Sequence, residues 1–118
     1  MKVVRIYTGD DGESHFEDVE VELKDLGPSG HISEMWRAKG VMFRRVEGSY
    51  DLDFHTAPRR QLVVNLTGSV DLTVGDGTVR RLAAGEILLA EDLTGRGHKS
   101  TNVGGEARTC LFIPLDDD

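Results

Sequence analysis

The sequence predicts an all-β domain whose short strands close into a barrel or a two-sheet sandwich. Three observations carry this. Nearly every apolar cluster is short, rich in Val, Leu, Ile or Phe, and closed by Gly, Asp or Pro, as strands and their turns are. Helical periodicity is nearly absent. About eight such clusters fall within 118 residues, which is barrel or sandwich spacing. A chain of this length buries roughly two-thirds of its unfolded surface, enough for one core and not two, so residues 1–118 read as a single domain.

The elements follow in order. Strands are expected at 3–8, 16–21, 41–46, 62–66, 70–74, 79–82, 87–90 and 109–114. Segment 24–33, which holds Gly27-Pro28-Ser29-Gly30, and the polar segment 48–53 read as irregular, and 33–39 as a helical turn. Thr67-Gly68 and Gly75-Asp76-Gly77 mark hairpin turns, since Gly and Asp tolerate positive φ, and they make a meander of 62–66, 70–74 and 79–82. In the middle strand Val70, Leu72 and Val74 alternate with Asp71 and Thr73, so one face is buried and the other wet. In the strand after Pro58, Gln61, Val63 and Asn65 share one face while Leu62, Val64 and Leu66 form an apolar stripe on the other. If the first set points inward, two amides meet the interior, where leaving them unpaired costs about 1–3 kcal/mol each, so something polar should meet them. The outward stripe asks for another sheet or a second copy of the chain, and a homodimer is the expectation.

Composition narrows the function classes. The formal charge of −7 supplies no net positive field for a phosphate backbone or an anionic bilayer, so neither nucleic acid nor membrane is expected as a partner. The longest apolar runs, 87–90 and 110–113, are far shorter than the roughly 20 residues of a membrane helix. Arg5 falls where a secretion signal would need an unbroken apolar stretch, and Cys110 alone can form neither an internal disulfide nor a Cys-based zinc site; a reducing cytoplasm is the expected setting. The acidic end, Asp116-Asp117-Asp118, is the one segment expected to be disordered. Gly95-Arg96-Gly97 is too short for a phosphate loop, and no nucleophilic serine elbow occurs.

His55, Gln61 and His98 are the residues expected to carry the chemistry. His55 and Gln61 are six apart, an even spacing that turns both the same way on an extended segment, and His98 follows a glycine turn that could deliver it to a barrel mouth. Glu91 continues the parity of Ile87 and Leu89 and is expected inward, within reach of His98, as a general acid or base; its neighbour Asp92 reads as a solvated turn residue. The adjacent pairs Arg44-Arg45 and Arg59-Arg60 should each turn one guanidinium inward, toward a carboxylate of the protein or of an acidic ligand. Parity favours Arg59, but Pro58 leaves Arg60 open, and the expected ligand-binding set is Gln61, Asn65, Arg45 and Arg60. His15 and His31 read as surface or structural residues, Trp36, Phe43 and Phe54 as core or rim packing, and Cys110 as an inert buried thiol.

Two segments resemble a known family. His55-Thr56-Ala57-Pro58-Arg59-Arg60-Gln61, followed at a distance by Gly68, resembles the first motif of the cupins, and the stretch from Gly85 through His98 to Asn102 resembles the second. The resemblance covers about 41–114, and the segments Ala57–Gln61 and Leu89-Ala90-Glu91-Asp92 with Gly95 and His98 are similar to a subgroup of small single-domain cupins without a firmly assigned reaction. It implies a double-stranded β-helix, the cupin jelly-roll barrel, and a divalent metal such as Zn, Fe, Ni or Mn, which here would fall to His55, Gln61 and His98, held weakly if Glu91 supplied a fourth ligand. Ala57 and Gln61 stand where the family carries a second histidine and a glutamate, and Glu91 with two additional residues replaces the usual proline and glycine; a neutral amide in place of a carboxylate lowers metal affinity. The expected function is therefore binding of a compact polar or acidic organic molecule, with proton-transfer chemistry of the isomerase or lyase type. A non-catalytic sensing module and a metal-dependent enzyme such as a dioxygenase are the alternatives.

Overall fold

The chain is described by a computed structural model covering residues 1–116, so Asp117 and Asp118 of the acidic end lie outside the described residues. Twelve strands run in chain order: β1 (Lys2–Thr8), β2 (Ser14–Glu20), β3 (Lys24–Asp25), β4 (His31–Ile32), β5 (Met42–Val46), β6 (Asp51–His55), β7 (Gln61–Thr67), β8 (Val70–Thr73), β9 (Val79–Leu82), β10 (Ile87–Glu91), β11 (His98–Asn102) and β12 (Arg108–Pro114). All eight expected strands are present, and the fold is all-β. Segment 33–39 forms no helical turn; it runs alongside the end of β12, bridging Ala38 to Leu115, and the one helical turn described is a 3-10 turn at Gly27–Ser29.

Two sheets make the body. A six-stranded sheet has the order β2-β1-β10-β7-β12-β5, a four-stranded sheet the order β6-β11-β8-β9, and β3 with β4 forms a small separate hairpin. Among the described residues only β1 and β10 pair in parallel. The inner faces enclose one main core, in which Ile6 and Val63 of the larger sheet join Val70, Leu72 and Leu82 of the smaller. A second, smaller cluster of Val3, Leu89 and Leu115 lies on the outer face of β1 and β10, where Leu62 and Ile87 pack against it.

The meander is as expected, with Gly68 in the left-handed region at φ +75° closing the turn from β7 to β8. A side chain there would press within 3.2 Å of the Ala107 carbonyl and of Arg108, so both the turn and the close approach demand glycine. Gln61, Val63 and Asn65 all point inward, at 2, 8 and 0 % exposure. Among the described residues no helix is long and apolar enough to cross a membrane.

Candidate functional site

Between the sheets lies a cavity of about 350 Å³, lined by His55, Gln61 and His98 together with Arg44, Tyr50, Ser100 and Arg108 and an apolar wall that includes Val63, Leu72, Leu82 and Leu88. That size is at the lower end of small-molecule sites. The structure thus brings together His55, Gln61 and His98, and leaves Glu91, Arg45, Arg60 and Asn65 out of the lining.

The two histidines face each other across the β6–β11 pair, where His98 is in register with His55. Their ring centroids are 4.6 Å apart. The register slips between His98 and Ser100, so that Leu52 and His55, three residues apart on β6, both reach the cavity although a regular strand would send them to opposite faces. Gly97 permits the approach: its φ is +79°, and a Cβ there would overlap the His55 carbonyl.

Behind His98 stands Asp92, fully buried. Its Oδ2 accepts from His98 Nδ1 at 2.6 Å and from the Ser14 hydroxyl at 2.8 Å. Because a carboxylate oxygen only accepts, His98 carries its proton on Nδ1 and has Nε2 left for other partners. His55 is fixed the same way, its Nδ1 donating to the Asp53 carbonyl at 2.8 Å. Burial holds the His55 imidazole below its ordinary pKa and the charges of His98 and Arg44 push in the same direction, against the hydrogen bond to Asp53, so His55 favours its neutral form.

The two neighbouring acids are therefore exchanged relative to expectation. Glu91 is on the outer face, held by Arg5 at 2.5 Å and by Arg60, while Asp92 points inward with Leu88 and Ala90. Strand β10 is apolar on both faces, which leaves parity without a wet side to orient it: Ile87 and Leu89 belong to the outer cluster, and Glu91 goes outward with them. Arg60 is thereby committed to Glu91, and Arg45 is exposed and paired with Glu47 at 2.9 Å. Arg44 is the inward member of its pair, and Arg59 reaches Gln61, whose Oε1 accepts from its Nη1 at 3.0 Å. Asn65 is spent on the backbone, donating to the carbonyls of Gly68 and Leu82. Its Oδ1, at 3.4 Å, supports the Nη1 of Arg108, whose Nε donates to Asn102 Oδ1 at 3.0 Å.

Arg108 and Asp92 escaped the sequence reading. Arg108 shares the parity of Cys110 and Phe112, so extending the last strand by one residue would have turned it inward. Of the remaining residues, His15 is partly exposed beside Asp11, His31 is exposed beside Asp25, Cys110 is buried, and Phe43 is 83 % exposed rather than packed.

The donor set does not fit a resident divalent metal. Two imidazoles are present, but no group of three or more His, Cys, Asp or Glu among the described residues could hold an ion. Gln61 offers a neutral oxygen already engaged by Arg59, Glu91 is on the other face of the sheet, and the cations of Arg44 and Arg108 line the same space.

No family model matches the chain, and no curated protein matches it. Among solved structures, protein NMB1881 from Neisseria meningitidis superposes with a TM-score of 0.50 at 19% identity, over 72% of this chain and 89% of that one. At that identity the likeness concerns the fold alone, an all-β architecture shared across most of both chains.

Proposed function

We propose that the chain is a small cupin that binds a compact polar or acidic organic molecule between its sheets and moves a proton on it, as an isomerase or lyase does. The observation that supports this is the Ser14–Asp92–His98 chain ending against His55 inside the cavity. Asp92 Oδ1 is buried without a protein partner, a cost that packing alone gives no reason to retain.

The two rings are held alike at Nδ1 but by different groups. His98 faces a carboxylate, so it is the ring suited to bear a positive charge; His55 faces only a carbonyl and is kept neutral by burial. His55 Nε2 then takes a proton from a carbon next to a carbonyl or carboxylate, and His98, protonated on Nε2, returns one to the neighbouring atom. An isomerisation or an elimination follows, according to which bond the released electron pair enters. The apolar wall limits water around the reacting carbon.

The test is solvent exchange. The protein is screened by thermal shift against short-chain carboxylic and α-keto acids, and hits are incubated in deuterium oxide and followed by NMR. Deuterium should enter the carbon next to the carbonyl, and Asp92→Asn should slow this at least about a hundredfold while leaving binding in place, because an amide can donate to Nδ1 and flip the tautomer. Saturable binding with neither exchange nor product would instead make the protein a non-catalytic sensing module.

A further inference from the structure

We propose that the cavity is specific for organic carboxylates with an apolar body, the carboxylate seated between Arg44 and Arg108 and the body lying against the Val63, Leu72, Leu82 and Leu88 wall. This rests on the reading of the cavity as a ligand site and names the ligand class.

Arg108 is 3 % exposed. Its hydrogen-bond partners are the neutral amide oxygens of Asn102 and Asn65, with the Cys110 thiol nearby. Arginine stays charged in a protein interior, so this is a buried cation that no carboxylate among the described residues neutralises. Arg44 adds a second. The register sets it opposite Cys110, which faces Asn65, so it belongs to the same inward row of β5, β12 and β7. Its guanidinium lies 5.1 Å from the Tyr50 ring centroid and 4.9 Å from that of Phe112, and Arg108 lies 5.7 Å from Tyr50. Two cations thus flank one tyrosine. Burial and the charge of Arg44 both act to pull Arg108 below the ordinary arginine range, which is the penalty an incoming anion relieves.

The distribution of acids points the same way. The chain carries 21 Asp and Glu against 14 Lys and Arg, yet among the described residues neither an aspartate nor a glutamate lines the cavity. Of the eight other arginines, all outside the lining, six are each matched to an acid, Arg5, Arg45, Arg60, Arg80, Arg81 and Arg96, while Arg59 is turned to the Gln61 amide and Arg37 is exposed. Acids are thus placed against most outward guanidinium groups, and none stands against the two that face the cavity. A planar carboxylate matches a guanidinium fork, and fixed donors in an apolar enclosure bind it more strongly than they would in water. The rest of the lining is largely hydrocarbon, which would favour a bound molecule whose remainder is apolar over a bare inorganic anion.

The probes are hexanoate, hexanol and inorganic phosphate, titrated calorimetrically into the wild-type chain and Arg44→Gln. Arg44 is the residue to change because it makes ring contacts only, whereas Arg108 is tied to the amides of Asn65 and Asn102. Hexanoate should bind saturably, about tenfold or more tighter than either hexanol or phosphate, and Arg44→Gln should weaken hexanoate about tenfold while leaving hexanol unchanged. The assignment is overturned if hexanoate does not bind, if hexanol binds equally well, if phosphate matches hexanoate, or if Arg44→Gln binds hexanoate as the wild type does. None of these outcomes touches proton transfer, which stands or falls on deuterium exchange with whichever molecule binds; binding without exchange leaves the carboxylate seat intact and removes the enzyme.

Discussion

Glu91 is held by Arg5 and Arg60 on the outer face of the six-stranded sheet, with Glu17 also reaching Arg5 at 3.6 Å. Burial alone would raise the Glu91 pKa, but the hydrogen bonds from Arg60 and Arg5 outweigh it and hold the carboxyl below the ordinary glutamate value. A carboxyl whose folded pKa is depressed stabilises the fold fully above its unfolded pKa, and that contribution disappears as pH falls through the folded value. Glu91→Gln should therefore unfold in urea with about 1 kcal/mol less stability than the wild type at neutral pH. The gap should shrink from pH 4.5 downward. A gap unchanged at about pH 3 would mean that the side chain acts by packing instead of charge. Asp92, one residue on, is sealed inside against His98, so the two acids separate cleanly: the outer one supports the sheet and the inner one orients the imidazole.

At the scale of elements, the sequence announced neither the short β3 and β4 nor β6 and β11, and the last two carry both cavity histidines. Their residues explain why. In β11 the inward side chains are His98, Ser100 and Asn102, all buried and all polar, so the alternation that reveals a strand by its hydrocarbon is absent where the strand faces a cavity. In β6 the acids Asp51 and Asp53 suit an edge strand, which is its position, but disguise it as a loop. Strands that pack hydrocarbon, such as β7, β8 and β10, were legible from composition and turns alone, and so was the inward set of Gln61, Val63 and Asn65. The face of β10 was not, because parity orders residues only when one face is wet. The junction between β6 and β11 depends on Gly97. Gly97→Ala would strain a left-handed backbone by about 1–3 kcal/mol and drive a methyl into the His55 carbonyl. Urea unfolding should show a midpoint lowered accordingly, and the NMR shifts of the His55 and His98 rings should move as the tilted ring pair opens. An alanine variant with the wild-type midpoint and unmoved ring signals would show that the glycine is dispensable.

For the whole molecule, the outward stripe of β7 finds only part of its cover within the chain. Leu62 joins the outer cluster with Val3 and Leu115, but Leu66 at the other end is 48 % exposed. The register sets Phe43 of β5 opposite Leu111, Leu111 opposite Val64, and Val64 opposite Ile87, so one apolar row crosses four strands and ends at Phe43, which is almost entirely exposed. Strand β5 is the edge of its sheet, and it carries an exposed arginine, Arg45, with Glu47 just beyond its end. We propose that a second copy of the chain is what covers this row. Across a two-fold axis the same patch meets itself, so the two Phe43 rings bury each other, and with Arg45 already neutralised by Glu47 of its own chain no foreign charge pattern is needed. Light scattering at tens of micromolar should give twice the 13.0 kDa chain mass. Phe43→Ser should return the single-chain mass without lowering the cooperativity of unfolding, since the ring touches no core cluster in the isolated chain. A wild-type protein that scatters as a single chain at that concentration, or a serine variant that remains paired, would remove Phe43 and its row from any role in assembly.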